Sequence, residues 1–161
     1  MSENDEFQKA LMLYKDTVFR IAYAYCKNHF DAEDVSQEVF LKLYRHGSRF
    51  NDQNHEKAWL IRVAVNQSKD LLRRKWVSSL FRGKDCIAGF ASENMSEILE
   101  AVFSLPLKYR MPIHFYYYED YSIKEIAEIL GVSETAVQTQ LQRARVMLRK
   151  KIREEFEDES K

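Results

Sequence analysis

Glycine and proline are nearly missing from this 161-residue chain, which holds 4 of the first and 2 of the second. A fold of many short strands needs such residues at every hairpin, so an all-β or strand-rich architecture is not expected. Cysteine is as scarce. Cys26 and Cys86 stand without CxxC spacing or a paired histidine nearby, which speaks against a disulfide framework and against a zinc site. No apolar run approaches the length that crosses a bilayer, and the first residues, MSENDEFQKA, are acidic and polar. Neither a transmembrane helix nor a signal peptide is therefore expected, and a reducing cytoplasm is the expected location. His29, His46, His55 and His114 are scattered, and HExxH, GxSxG and a Gly-rich phosphate loop are all lacking. The expectation is a protein without metal, without cofactor and without an enzymatic centre of its own.

What is present is 45% apolar and 13% aromatic residues, enough to core one medium domain or two small ones. Apolar residues recur at spacings of three and four, the period of a helix with one buried face. Helices are expected at residues 5–27, 31–46, 54–76, 95–103, 107–118, 122–130 and 133–155. The stretch 77–94, VSSLFRGKDCIAGFASEN, holds two of the four glycines and no sustained apolar stripe, so it reads as a connector. The fold class expected is all-α: two small helical domains joined by a flexible linker, the C-terminal one a helix-turn-helix. The acidic end, 154–161, is expected to fray. There is no internal repeat.

The net charge is zero, with 25 basic and 25 acidic residues, but the charges are not mixed evenly. Residues 1–56 carry 7 basic and 10 acidic side chains, residues 57–76 carry 6 and 1, and residues 135–153 carry 6 and none. Two concentrated basic elements are the electrostatic footprint of a polyanion-binding protein. The preference of helix C-termini for cations accounts for part of both clusters.

In the C-terminal part, Ser122 and Glu125 form a capping box ahead of the stripe Ile123, Ile126, Ala127 and Leu130. Gly131 supplies a left-handed turn and Ser133 can cap the next helix. There Val137, Leu141, Ala144, Leu148 and Ile152 share an inward face, and Thr135, Gln138, Thr139, Gln142, Arg143 and Arg149 face outward. Short hydroxyls and amides followed by cations suit a helix whose front enters a major groove while its back meets phosphates, with Arg143 and Arg145 as backbone anchors. A three-helix bundle with a merely solvated face would look the same in this stretch alone. Phe115 and the run Tyr116 to Tyr118 read as core with one tyrosine left outside, and Pro112 should kink or start its helix.

Projecting residues 57–76 at 100° per residue places Leu60, Val63, Ala64, Gln67 and Leu71 on one side and Ile61, Val65 and Leu72 on another. Between them runs a stripe of Arg62, Asn66, Lys69 and Arg73. Trp59, Phe50 and the polar loop 51–55 lie at its head, the combination of aromatics and cations that holds unpaired bases, though a tryptophan is more often a core residue and Trp59 is expected to be one. Further upstream, Asp31, Glu33 and Asp34 suit a helix N-terminus. Asp34, Gln37, Glu38 and Leu41 form a separate face in which an exposed leucine is ringed by acids and amides, as at a contact with another protein.

Three quoted stretches together resemble the extracytoplasmic-function (ECF) sigma factors of bacterial RNA polymerase, a small branch of the sigma-70 family. "DAEDVSQEVFLKLY" is similar to their core-polymerase-binding helix, "AWLIRVAVNQSKDLLRRK" to the segment that melts and reads the minus-10 element, and "LP.KYR" followed by "YSIKEIAEILGVSETAVQTQLQRARVML" to the minus-35-reading domain. The resemblance covers about residues 7–76 and 95–153, in the family's order. It implies that residues 1–76 are sigma domain 2, 77–94 a linker and 95–161 sigma domain 4. It implies that Asp34, Gln37, Glu38 and Leu41 bind core polymerase, whose clamp and flap are the expected contacts. Arg62, Asn66, Lys69 and Arg73 would meet the single-stranded minus-10 element, with a flipped base held near 51–55. Ser133, Thr135, Gln138, Thr139, Gln142, Arg143 and Arg145 would meet the minus-35 duplex. An anti-sigma partner is implied in the same way, and no membrane insertion.

One departure concerns Gln138 and Gln140, where family members often carry a lysine and an arginine. Two lost phosphate cations would flatten the salt dependence of binding by roughly 2 log units per log unit of salt. The alternative is a helix-turn-helix regulator acting without polymerase, which has no use for the Arg62 to Arg73 stripe. A helical adaptor that binds only proteins leaves the basic stretch from Arg143 to Arg153 unexplained.

Overall fold

The computed structural model describes residues 2–47, 49–82 and 96–159, all of whose regular structure is helical. Contacts divide the chain into two compact units, Met1–Phe90 and Ala91–Lys161. The first contains α1 (Glu3–Cys26), α2 (His29–His46) and α3 (Gln53–Arg82). The second contains α4 (Glu97–Ser104), α5 (Leu107–Ile113) with a π-helical continuation His114–Tyr118, α6 (Ile123–Leu130) and α7 (Glu134–Glu159).

Helix starts follow side-chain capping. Ser2 Oγ accepts the Asp5 N–H and starts α1, and Asn28 Oδ1 accepts the Asp31 N–H at 2.8 Å and starts α2. The expected start of α2 at residue 31 is therefore late by two residues: Asn28, not the acidic run, is the N-cap. Lys27, at φ 62°, ends α1 and turns the chain into α2. Asp52 Oδ1 accepts the His55 N–H at 2.8 Å at the head of α3. That helix runs on to Arg82, past its expected end at 76, so the described part of the expected connector, 77–82, is helical and the rest lies outside the described residues.

In the first unit every helix packs against the other two. Val18, Ile21 and Tyr25 of α1 meet Val35, Val39 and Leu43 of α2 and Leu60, Ile61, Ala64 and Val65 of α3, all buried. Because α3 lies against two neighbours, it buries two sides and has no single apolar face. Asp31, itself buried, is ion-paired with Lys75 of α3 and accepts from Asn28 Nδ2 at 2.7 Å. Sequence spacing gives no hint of this pair, which spans 44 residues.

In the second unit α7 packs against α4, α5 and α6. Val137, Leu141 and Ala144 are buried as expected, while Leu148 and Ile152 are only half-buried, since α7 continues beyond this small core. Arg110 is buried, and its Nη1 donates to the Leu105 carbonyl at 3.1 Å, satisfying backbone at the end of α4. Pro112 sits inside α5 and neither starts nor ends it; two residues later the bonding widens, and the Glu119 N–H donates to the His114 carbonyl. A missing N–H at Pro112 and a π-helical turn directly after it fit one local cause. The tyrosine run is less buried than expected: Phe115 is fully buried, but both Tyr117 and Tyr118 are exposed. The widened turn carries them off the inward side.

Two measurements follow from this packing. Ser68 is fully buried and its hydroxyl has no partner among the described residues. Ser68→Ala is expected to raise the unfolding free energy by about 1 kcal/mol in urea titration, by removing an unpaired donor and improving helix propensity. Burial, then the Glu6 carboxylate, holds the Glu56 carboxyl above its ordinary value, with Lys9 opposing. The folded state thus holds this proton more tightly than the unfolded chain, and stability falls as pH rises through that range. Glu56→Gln should be more stable than the parent at neutral pH and show a flatter stability profile above about pH 4.

Candidate nucleic-acid interface

The stripe on α3 forms because its neighbours in sequence are drawn inward. Leu60, Ile61, Ala64, Val65 and Ser68 are buried, which leaves Arg62, Asn66, Lys69 and Arg73 exposed along one side. Of these, Arg73 reaches Asp70 Oδ1 at 3.0 Å, an exposed pair worth well under 1 kcal/mol that a phosphate can displace. Lys75 belongs to a different class of cation: its ammonium is committed to buried Asp31, so it locks α3 to α2 and does not extend the stripe.

At the head of the stripe, four rings form one cluster. The His46 ring stacks on Phe50 at 4.8 Å and lies 4.8 Å from Trp59, and Phe50 meets His55 edge-on at 5.3 Å. The Asn51 N–H donates to His55 Nδ1 at 3.2 Å. Trp59 is thereby half-buried between the end of α2 and the start of α3, and its contacts order the loop instead of leaving its faces free. Of the two readings of this tryptophan, the structure takes the one closer to core.

On α2, Val35, Val39 and Leu43 are buried, and Asp34, Gln37 and Leu41 are exposed, Leu41 by 48%. Glu38 is half-buried. All four side chains line a groove of about 770 Å³ whose other wall is α3, with Gln67, Asp70, Arg73 and Arg74. The acidic face and the foot of the basic stripe, which are far apart in sequence, are therefore neighbours.

In the second unit the turn is built as the residues suggest. Ser122 and Glu125 exchange bonds at 3.1 Å in both directions, Gly131 adopts φ 69°, and Ser133 Oγ accepts the Ala136 N–H at 3.0 Å. A Cβ at Gly131 would touch nothing within 4 Å, so the demand for glycine is one of dihedral angle, not space. On α7, Thr135, Gln138, Gln142, Arg143 and Arg149 are exposed and Thr139 half-buried. Gln140, which is not among the residues expected on the outward face, is half-buried with its Oε1 buried, while Gln138 and Gln142 are exposed. Arg145 is half-buried, and its Nε donates to the Tyr117 hydroxyl at 2.8 Å. No described helix is long and apolar enough to cross a membrane.

A capped helix-turn-helix in one unit and a cation-lined helix beside an aromatic cluster in the other define a two-part, all-helical DNA-binding protein. Residues 11–77 match the model for Sigma-70 region 2, and residues 95–148 match that for Sigma-70, region 4. The chain belongs to the sigma-70 family, as an RNA polymerase sigma factor of the ECF type. It is 28% identical to the ECF RNA polymerase sigma factor SigW of Bacillus subtilis, over 94% of this chain and 91% of the relative. It is also 28% identical to the RNA polymerase sigma factor SigV of the same organism, over 84% of each. Among solved structures, the sigma factor RpoE in complex with the anti-sigma factor NepR from Bartonella quintana has the same fold, with TM-score 0.73 and 19% identity over 92% of this chain and 97% of that one. CnrH in complex with the cytosolic domain of CnrY follows with TM-score 0.64 and 23% identity, over 90% and 86%.

The distinction between Lys75 and the stripe can be measured. Lys75→Met should lower stability by about 2 kcal/mol, because buried Asp31 loses its partner, and leave the salt dependence of single-strand binding unchanged. Lys69→Ala should do the opposite, keeping the melting temperature and reducing the log–log salt slope by about 0.7.

Proposed function

We propose that this chain directs core RNA polymerase to promoters through three exposed surfaces: α2 docks on the core enzyme, α3 holds the opened minus-10 strand, and α7 reads the minus-35 duplex. The observation that carries the reading is the order and chemistry of those surfaces. An acid-and-leucine face, a cation stripe and an amide-then-cation face follow one another in the family's order, each on a helix whose opposite side is buried in its unit's core.

Asp34, Gln37, Glu38 and Leu41 take a partner with basic side chains around an apolar contact, here the polymerase clamp; the flap is the second polymerase contact. Arg62, Asn66, Lys69 and Arg73 neutralise and bond the nontemplate strand, and residues 51–55, at the head of α3, hold one extruded base. Extrusion costs a few kcal/mol per base, which stacking and phosphate contacts offset, so the strands are opened by trapping and not by force. Ser133, Thr135, Gln138, Thr139, Gln142, Arg143 and Arg145 meet the minus-35 element. A glutamine bonded at two points to adenine discriminates by about 1–3 kcal/mol. Nucleotide addition remains the polymerase's chemistry. RpoE, which shares this fold, was solved bound to an anti-sigma factor, and a partner of that kind is proposed for this chain too, covering surfaces that polymerase otherwise uses.

The test mixes the protein with core polymerase and a promoter library and scores transcripts with defined starts. Initiation from specific starts is expected. Failure to bind core, together with unaided binding to duplex DNA, would favour a regulator that works without polymerase. Asn66→Ala and Arg73→Ala should each slow open-complex formation about tenfold and leave core binding intact; loss of core binding by both would overturn the division of roles.

A further inference from the structure

Tyr117 lies outside the recognition helix, in the π-helical segment His114–Tyr118, and has no role in the functions proposed so far. It is 52% exposed, although its neighbour Phe115 is fully buried. Its hydroxyl oxygen accepts the Arg145 Nε–H at 2.8 Å, and the guanidinium carbon sits 5.7 Å from the ring centres of both Tyr116 and Tyr117. Arg145 follows Gln138 by seven residues, so at 100° per residue the two project within about 20° of each other, roughly 10 Å apart along the helix axis. The tyrosine oxygen is thus brought to the DNA-reading side of α7 by a residue that already belongs to it.

The chemistry on offer is a set of donors with one fixed positive charge. With its oxygen accepting from Nε, the Tyr117 hydroxyl has its own proton to donate, beside the terminal N–H groups of the guanidinium. An acceptor-only group matches such a set, either a phosphate or the N7/O6 edge of guanine. Tyr117 stands on a segment outside the recognition helix, which favours the phosphate backbone over a base read by that helix. The hydrogen bond and the two rings also restrict Arg145 before any ligand arrives, so less side-chain entropy remains to be lost on binding. The placement of Tyr117 depends on the widened turn after Pro112, since a regular α-helical continuation would send it out at a different angle. Resting on the minus-35 role of α7, we propose that Tyr117 and Arg145 form one preset phosphate-binding pair that extends the minus-35 interface beyond the recognition helix.

The test titrates holoenzyme, assembled from the full chain and core polymerase, with a minus-35 duplex across a salt series, alongside a duplex with that element scrambled. Tyr117→Phe keeps the ring and its packing; it should bind roughly tenfold more weakly at an unchanged salt slope. Arg145→Gln should reduce the slope by about 0.9, and adding Tyr117→Phe to it should cost little more, because both groups serve one phosphate. Wild-type affinity for Tyr117→Phe, or an unchanged slope for Arg145→Gln with only its thermal stability lowered, would make the contact purely internal and overturn the pair. If Arg145→Gln does not fold, the Tyr117→Phe affinity decides alone. A wild-type holoenzyme indifferent to scrambling overturns the α7 reading itself, and the pair with it; a wild-type response with silent variants overturns only the pair.

Discussion

Each unit of this protein contains one long helix that packs against all its neighbours and carries a polar strip on its uncovered side: α3 against α1 and α2, and α7 against α4, α5 and α6. A unit of this size buries only about 60% of its chain's surface, so neither long helix can be covered all round. The uncovered strip is therefore decided by packing before any function is considered. On α3 it falls on Arg62, Asn66, Lys69 and Arg73, and on α7 on Thr135, Gln138, Gln142, Arg143 and Arg149. Apolar residues in those strips would invite association, whereas polar ones are free to be chosen for a ligand.

The cations near these strips are not equivalent, although the sequence presents them as two clusters. Lys75 is committed to a buried carboxylate, Arg73 is lightly held by an exposed one, and Arg145 is held by a neutral hydroxyl between two rings. The first is part of the fold, and the second can exchange its partner at small cost. The third keeps its charge and most of its donors while losing its freedom to move, which suits a group that acts by position. A neutral chain with two short basic strips is not built for tight unaided DNA binding. In the role proposed, polymerase supplies the remainder, and contacts at two promoter elements reinforce each other because they lie on one chain.

The shared groove of α2 and α3 is lined by Asp34, Gln37, Glu38 and Leu41 on one side and by Arg73 and Arg74 on the other. In the proposed role, the surface that meets polymerase and the surface that meets the strand are then adjacent, and the two events occur side by side on one scaffold. The His46, Phe50, His55 and Trp59 cluster performs a related service at the other end of the stripe, tying the end of α2 to the start of α3.

Much was determined by sequence alone because it depends on local rules. Period and scarcity of Gly and Pro give an all-helical chain; Ser122, Glu125, Gly131 and Ser133 specify the helix-turn-helix within twelve residues; the apolar spacing of α3 leaves its cation stripe outside. Each of these is settled within a few turns of chain, where hydrogen-bond reach and helix period apply. Tertiary structure alone decided the rest. Asn28 took the cap expected of the acids that follow it, and Lys75 found Asp31 at a separation of 44 residues. The Gln140 oxygen turned inward, and Arg145 met a tyrosine that the π-helical turn had moved out of the core. Those outcomes depend on which helices become neighbours and on how a buried charge or a long side chain finds a partner there. One-dimensional spacing does not carry that information.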